Sequence, residues 1–242
     1  GGIPLVFPNF GAWELGPHHG FAHTSLWSVQ PSDEMQEGNV SKAVILSLED
    51  NDCTRSIWNH GFRLVYRIEL QKAKLRLELT VENTGTSTFE FTTLMHPYWR
   101  MEDVRKCTLS GCHGVLYADK TKDFCELREE REYVTISQWT DNIYKSTERV
   151  HMLTEVGTGK TLKIEKENLP DTGTAGEGAR MWPETHPKFH YIPRCMGIVR
   201  PFGETITASP EEPQEGCIDT LTRDVVVSCD APRLSSGDFS LM

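Results

Sequence analysis

The sequence predicts an all-β chain folded as an antiparallel sandwich, and three observations carry that reading. Short apolar stretches recur through the middle of the chain, turn-forming residues separate them, and no stretch keeps a 3.6-residue apolar period over three turns.

Val44-Ile45-Leu46-Ser47-Leu48 is the first apolar run, and Leu64 to Leu70 alternates in part. Leu75 to Val81 alternates strictly, with Leu75, Leu77, Leu79 and Val81 on one face and Arg76, Glu78 and Thr80 on the other. Such a pattern is a half-buried antiparallel strand with one wet side. Gln71-Lys72-Ala73-Lys74 is a hairpin-length connection, Asn83-Thr84-Gly85-Thr86 is the next turn, and a strand from Thr88 to Leu94 follows. Further strands are expected at 134–136, 150–154, 161–164, 196–199 and 224–227. Gly157-Thr158-Gly159-Lys160-Thr161 ends like a phosphate loop, yet it lacks the full glycine spacing and a following helix, so it reads as a hairpin turn.

Two segments break the rhythm. Residues 170–195 carry Gly173, Gly176, Gly178, Pro183, Pro187 and Pro193 and are expected to form a long loop with little regular structure. Residues 230–242, with Pro232 and Ser235-Ser236-Gly237, read as a mobile tail behind a single domain over 1–229.

Bulk composition narrows the function. A chain of 242 residues with 38% apolar and 25% charged residues is globular, and its net charge of −10 argues against nonspecific binding to nucleic acid or anionic lipid. No run of about 18 apolar residues exists to span a membrane. Seven cysteines show no CxxC pair; Cys107 and Cys112 beside His113 suggest zinc, but the matching second ligand pair is missing. Buried thiols in a reducing compartment, cytoplasm or organelle interior, are the expectation, with no metal and no other cofactor. His18 and His19 are adjacent, and neighbours on a strand face opposite ways, which disfavours joint chelation. The chain opens at Gly1 without Met or signal peptide, so any targeting segment would lie upstream.

The opening Gly1-Gly2-Ile3-Pro4-Leu5-Val6-Phe7-Pro8-Asn9-Phe10-Gly11 resembles the glycine-rich signature of the hexose-6-phosphate mutarotases (glucose-6-phosphate 1-epimerases), relatives of the aldose 1-epimerases. Further segments fall in that family's order: His19-Gly20-Phe21-Ala22 with Trp27, Val81-Glu82-Asn83-Thr84, and His96-Pro97-Tyr98-Trp99-Arg100-Met101-Glu102-Asp103. Thr140-Asp141-Asn142-Ile143-Tyr144 and Asn168-Leu169-Pro170-Asp171-Thr172 complete the set, and the match fades after Thr172. The resemblance implies a galactose mutarotase-like supersandwich with a sugar site on its concave face. Family members carry further strands before the Gly-Gly motif, so the expected sandwich lacks its N-terminal strands in this chain.

The chemistry implied is an isomerase reaction. Exchanging hexose anomers means removing the proton from the C1 hydroxyl, protonating the ring oxygen, rotating about C1–C2 and closing again; a His and a carboxylate suffice. The resemblance places the general acid at His96, a residue able to hold or release a proton near neutral pH. It places the base, a Glu in the family, at Arg200, which keeps its proton and has no lone pair to accept another. Glu204 is the substitute base if its loop is rearranged. His23 stands where the family usually carries a phosphate-gripping Arg, and it offers one donor in place of a two-pronged guanidinium. His19, His23, Tyr98, Trp99, Arg100 and Asp171 are the expected substrate-binding residues. Trp99 is the best pocket candidate among six tryptophans, most of which are expected to pack in the core or at edges.

Two functions therefore compete. One is an active aldose or hexose-phosphate epimerase, carried by His96 and the ordered motifs. The other is a catalytically impaired descendant retained as a binding or structural subunit of a larger protein assembly, carried by Arg200 and His23. Its partners are accordingly a hexose or hexose phosphate, or other protein subunits. A lectin-like glycan binder would need an exposed aromatic platform.

Overall fold

The computed structural model of the chain describes residues 3–31, 41–99, 101, 103–176, 198–199, 206–209 and 221–229. In chain order they form β1 (Leu5–Val6), β2 (Ser28–Gln30), β3 (Ser41–Glu49), a short helix α1 (Asp52–Ile57), β4 (Phe62–Gln71), β5 (Lys74–Asn83), β6 (Phe89–Phe91) and β7 (Leu94–Met95). Next come β8 (Cys107–Leu109), β9 (Leu116–Asp119), β10 (Cys125–Arg128), β11 (Thr140–Tyr144), β12 (Val150–Glu155) and β13 (Lys160–Glu167). β14 (Thr172–Gly176), β15 (Ile198–Val199), β16 (Ile206–Ala208) and β17 (Leu221–Cys229) complete the series. The predicted all-β antiparallel class is the observed one.

Strict alternation decides the centre of the fold. β4 and β5 form a hairpin in which Gln71 pairs with Lys74 across a two-residue turn. Leu64, Tyr66, Leu75, Leu77, Leu79 and Val81 are buried on the inner face, each worth about 1.5–3 kcal/mol against exposure. On the outer face Arg63 opposes Glu82, Arg67 opposes Glu78 and Glu69 opposes Arg76, pairings worth roughly 0.2–1 kcal/mol each. Thr80, expected on the wet face, is covered where it sits between Val65 and Thr222 in the ladder.

This hairpin lies inside an eight-stranded sheet ordered β2-β3-β4-β5-β17-β13-β12-β8. A four-stranded sheet, β10-β9-β11-β14, a three-stranded sheet, β1-β7-β15, and the pair β16-β6 accompany it. Phe7 centres the aromatic core, with ring centroids 5.3 Å from Phe62, 5.3 Å from Phe91 and 5.5 Å from Trp58.

Several expectations need correction. The Thr88–Leu94 strand is split into β6 and β7, where Thr92 and Thr93 turn their hydroxyls to β1 and the segment after it: Thr93 Oγ1 donates to Val6 O at 2.8 Å and Phe10 N donates to Thr92 Oγ1 at 2.6 Å. Residues 134–136 contribute one bridge, Leu109 to Val134, and serve as core, with Val134 and Ile136 buried. The 170–195 loop opens with a strand: β14, Thr-Gly-Thr-Ala-Gly, pairs along the whole of β11. Small residues let it lie flat and buried, and glycine content had suggested a loop. Residues 157–159 do form a hairpin turn, between β12 and β13. The 230–242 tail and residues 177–195 lie outside the described residues.

Cys107 and Cys112 are buried, and burial pushes their thiols up to about 11 and about 12, whereas Cys53 and Cys125 are exposed. Among the described residues no helix is long and apolar enough to cross a membrane, and no three His, Cys, Asp or Glu are grouped to hold a metal ion.

Candidate active site

The site is assembled where the three-stranded sheet meets the end of the four-stranded one. β7 lies between β1 and β15, and His96 N donates to Pro4 O at 3.0 Å, one step beyond the Leu5–Met95 pair. Pro97 has no N–H to continue the ladder, so the chain leaves the sheet here. Ring stacking on Tyr98 (centroids 4.7 Å apart) orients the His96 imidazole. Its Nδ1 is buried without a hydrogen-bond partner among the described residues.

His19 reaches His96 through a glycine. Phe21 N and Ala22 N both donate to Phe7 O, at 3.0 and 3.3 Å, docking the 17–22 turn on the strand edge. At Gly20, φ is +71° and an added Cβ would lie 2.1 Å from Phe7 O, so only glycine permits the approach. His19 itself adopts φ +67°; its N donates to Gly11 O at 2.9 Å, and its Nδ1 accepts from Gly11 N at 3.0 Å. In the neutral ring the proton therefore sits on Nε2. Its ring centroid is 3.9 Å from His18, 5.3 Å from Phe10 and 6.4 Å from His96. The adjacent histidines share one neighbourhood because they sit in a turn where His19 takes the left-handed conformation; the strand geometry that would separate them is not present.

Lys120 and Asp141 lie near enough for their charges to act on His96. The 3₁₀ turn Lys120–Lys122 is capped by Asp119, whose Oδ1 accepts from Thr121 N at 2.9 Å. Lys120 Nζ donates to Asp141 Oδ2 at 2.6 Å and stands 6.0 Å from the Phe10 ring centroid. β11 carries Asp141, and its pairing with β9 sets Asn142 opposite Asp119, fixing both elements.

Electrostatics favour neutral imidazoles here. Burial, then His18, His96, His23 and Lys120, lower His19 to about 4. Burial also lowers His96, and Lys120 adds to the effect, while its own backbone hydrogen bond and the Asp141 carboxylate act the other way. A His96 that donates a proton must first hold the charged form, and Asp141 is the side chain that favours it.

The expected site residues divide. His19, His96 and Tyr98 come together. His23 is exposed, close enough for its charge to act on His19. Trp99 is 7% exposed and packed in the main core cluster, and its Nε1, like His96 Nδ1, is buried with no hydrogen-bond partner among the described residues. Asp171 belongs to a different network, where its Oδ1 accepts from Ser146 N at 2.9 Å beside the buried Lys166, whose ammonium donates to Leu169 O at 2.8 Å. It adjoins the Thr172–Tyr144 pair, three residues and about 10 Å along β11 from Asp141. Arg100, Arg200 and Glu204 lie outside the described residues. Lys120, Asp141, Phe10 and His18 were not foreseen as site residues. Asp141 lay in a motif that carried no assigned role, and Lys120 carries no mark in the sequence at all.

The family model described as Aldose 1-epimerase matches residues 1–173. The chain belongs to the aldose 1-epimerase family. Two curated relatives named "Putative glucose-6-phosphate 1-epimerase" are similar to it. One, from Cenchrus ciliaris, is 27% identical over 176 residues, covering 71% of this chain and 54% of the relative. The other, from Escherichia coli K12, is 29% identical over 194 residues, covering 72% of this chain and 63% of the relative. The chain thus spans less than two thirds of either relative's length. Among solved structures, one titled a "putative mutarotase" from Salmonella typhimurium superimposes with a TM-score of 0.76 at 20% identity, over 94% of this chain and 73% of that one. A "Putative aldose 1-epimerase" from Escherichia coli K12 gives 0.69 at 15% identity, over 95% and 84%. At such identities these likenesses show the fold, a mutarotase-like antiparallel sandwich.

Proposed function

We propose that this family member binds the reducing end of an aldohexose, free or as its 6-phosphate, between His96 and the Lys120–Asp141 pair, and exchanges its anomers slowly. The observation that carries the reading is the His96 Nδ1, buried with no hydrogen-bond partner among the described residues and within electrostatic reach of Lys120 and Asp141. Leaving a buried polar atom unsatisfied costs about 1–3 kcal/mol, and a sugar hydroxyl or ring oxygen would remove that cost.

The step is simple to balance. A base takes the C1 hydroxyl proton, the C1–O5 bond breaks to give the open aldehyde, and His96 delivers a proton to O5. Rotation about C1–C2 and reversal of the proton transfers complete the exchange. Asp141 and Lys120 offer an acceptor and a donor to sugar hydroxyls, and Asp141 favours the charged His96 that donation needs. Slow exchange is expected because Arg200 occupies the position that the family resemblance gives to the base. A noncatalytic sugar-binding subunit is the second reading, and Arg200 is the observation that favours it.

NMR exchange spectroscopy on glucose and glucose 6-phosphate tests both. The expected result is slow or undetectable exchange by the natural chain, with sugar binding that His96→Ala weakens. Rapid exchange by the natural chain would contradict the role given to Arg200, and sugar binding indifferent to His96→Ala would contradict the site.

A further inference from the structure

β10 is the outermost strand of the four-stranded sheet. It pairs with β9 along its whole length, from Cys125 opposite Asp119 to Arg128 opposite Leu116, and no other described strand lies against its outer edge. Residues 121–128 are all exposed. An unpaired edge offers its N–H and C=O groups to any strand of matching register, and proteins commonly blunt it with charge. This edge carries two opposite charges, Glu126 and Arg128, on either side of Leu127, which is 37% exposed.

The backbone decides which residues can meet a new strand. Glu129 N donates to Val115 O at 2.9 Å and Glu129 O accepts from Gly114 N at 2.7 Å, so Glu129 bonds inward, on the β9 side. Along an antiparallel ladder inward and outward bonding alternates from residue to residue. Leu127 therefore turns its backbone groups inward, and Glu126 and Arg128 turn theirs outward.

A second copy added across a two-fold axis must set outward residues against outward ones, so the axis passes at a residue of β10 and not between two. An axis at Glu126 opposes two carboxylates, and one at Arg128 opposes two guanidinium groups. An axis at Cys125 runs the pairing into Asp123 and Phe124, whose φ of +51° and +59° leave the extended range. An axis at Leu127 sets Glu126 opposite Arg128 of the second copy, twice over, and brings the two Leu127 side chains together in a close non-hydrogen-bonded pair. Both charged groups retain capacity for this. Glu126 accepts from Lys145 Nζ and Arg128 Nη1 donates to Gly114 O, but a carboxylate has two oxygens and a guanidinium five N–H groups.

We propose that the β10 edge joins two copies of this chain about a two-fold axis at Leu127, merging their four-stranded sheets into one continuous sheet. The occupant is a second copy because the pattern Glu126-Leu127-Arg128 is complementary to itself in the one register that the backbone and the charges both permit. An edge only four residues long makes a small interface, so the dimer is weak and reversible.

Sedimentation velocity of the natural chain over roughly 10 μM to 1 mM, beside Glu126→Arg, Arg128→Glu and the double exchange, tests the proposal. Circular dichroism checks that these exposed substitutions leave the fold intact. The natural chain is expected to shift from monomer to dimer across that range. Each single substitution opposes like charges twice and is expected to weaken association about 10-fold, and the double exchange is expected to restore it. A mixture of the two single variants, complementary to each other, is expected to associate more tightly than either alone. A natural chain that stays monomeric throughout would overturn the proposal. So would a dimer indifferent to both single substitutions, or one that neither the double exchange nor the mixture restores.

Discussion

Two buried histidine regions separate structure from function in this molecule. His151, on β12 of the eight-stranded sheet, is 1% exposed, and burial lowers it to about 4. Its Nδ1 donates to Ser110 O at 2.8 Å, and its Nε2 accepts from Thr172 Oγ1 at 2.9 Å. Gly111, at φ +82°, makes room for it, since an added Cβ would lie 2.7 Å from Nδ1. His96, at the end of β7, is likewise lowered by burial, yet its Nδ1 is buried without a partner among the described residues and its ring neighbours Tyr98 and His19. A depressed pKa is common to both regions and marks neither. Among the described residues the unmet hydrogen-bond demand distinguishes these two; His60 Nδ1 shares it, and what sets His96 apart is that demand together with the nearby His19, Lys120 and Asp141.

Four changes would break or sharpen that contrast. The largest concerns catalysis: Arg200→Glu is expected to raise anomer exchange by about 10²-fold or more, the usual contribution of a general base, and adding His96→Ala should abolish the gain. NMR exchange rates of the single and double variants decide it, and a gain independent of His96 would break the pairing of acid and base.

The second concerns stability. His151→Leu leaves the Ser110 carbonyl and the Thr172 hydroxyl without their buried partner and should cost about 2–4 kcal/mol in urea unfolding, with sugar binding retained. Little loss of stability with impaired binding would invert the contrast.

The third is a pH dependence. His151 is held below its unfolded value of about 6.5, so its contribution is fully present above that pH and is lost as pH falls towards about 4. The loss is of order 3 kcal/mol at most, visible as a falling urea midpoint between those limits, and His151→Leu should flatten it. His19 titrates over the same window, but it is half-exposed and contributes less. The smallest effect is expected from Asp141→Asn, which removes the carboxylate that favours charged His96; its titration by NMR should move to lower pH. Movement to higher pH would show that Lys120, freed from its partner, has left the site.

The sequence disclosed the fold far better than it disclosed the site. Leu75 to Val81 announced a half-buried strand because alternation is a local record of two different environments, and the hairpin at Gln71–Lys74 followed from it. β14 was hidden because its burial depends on small residues lying against β11, a tertiary fact that glycine content disguises. His96 and His19 were legible through the family resemblance. Lys120 was not: it enters through a short 3₁₀ turn, and only the pairing of β9 with β11 brings it within 2.6 Å of Asp141. The burial of Trp99 and the exposure of Trp139 were hidden for a similar reason, since no local pattern tells which indole meets the core and which meets water.

The central claim is that His96 and His19 line a sugar site and that His151 is a structural histidine. Long-range ¹H–¹⁵N NMR of the imidazole nitrogens, recorded during titration with glucose and glucose 6-phosphate, tests it most directly. The account predicts that the His96 and His19 resonances move and saturate together, with those of His151 unchanged. Stationary His96 and His19 signals at saturating sugar, or a response confined to His151, would contradict it.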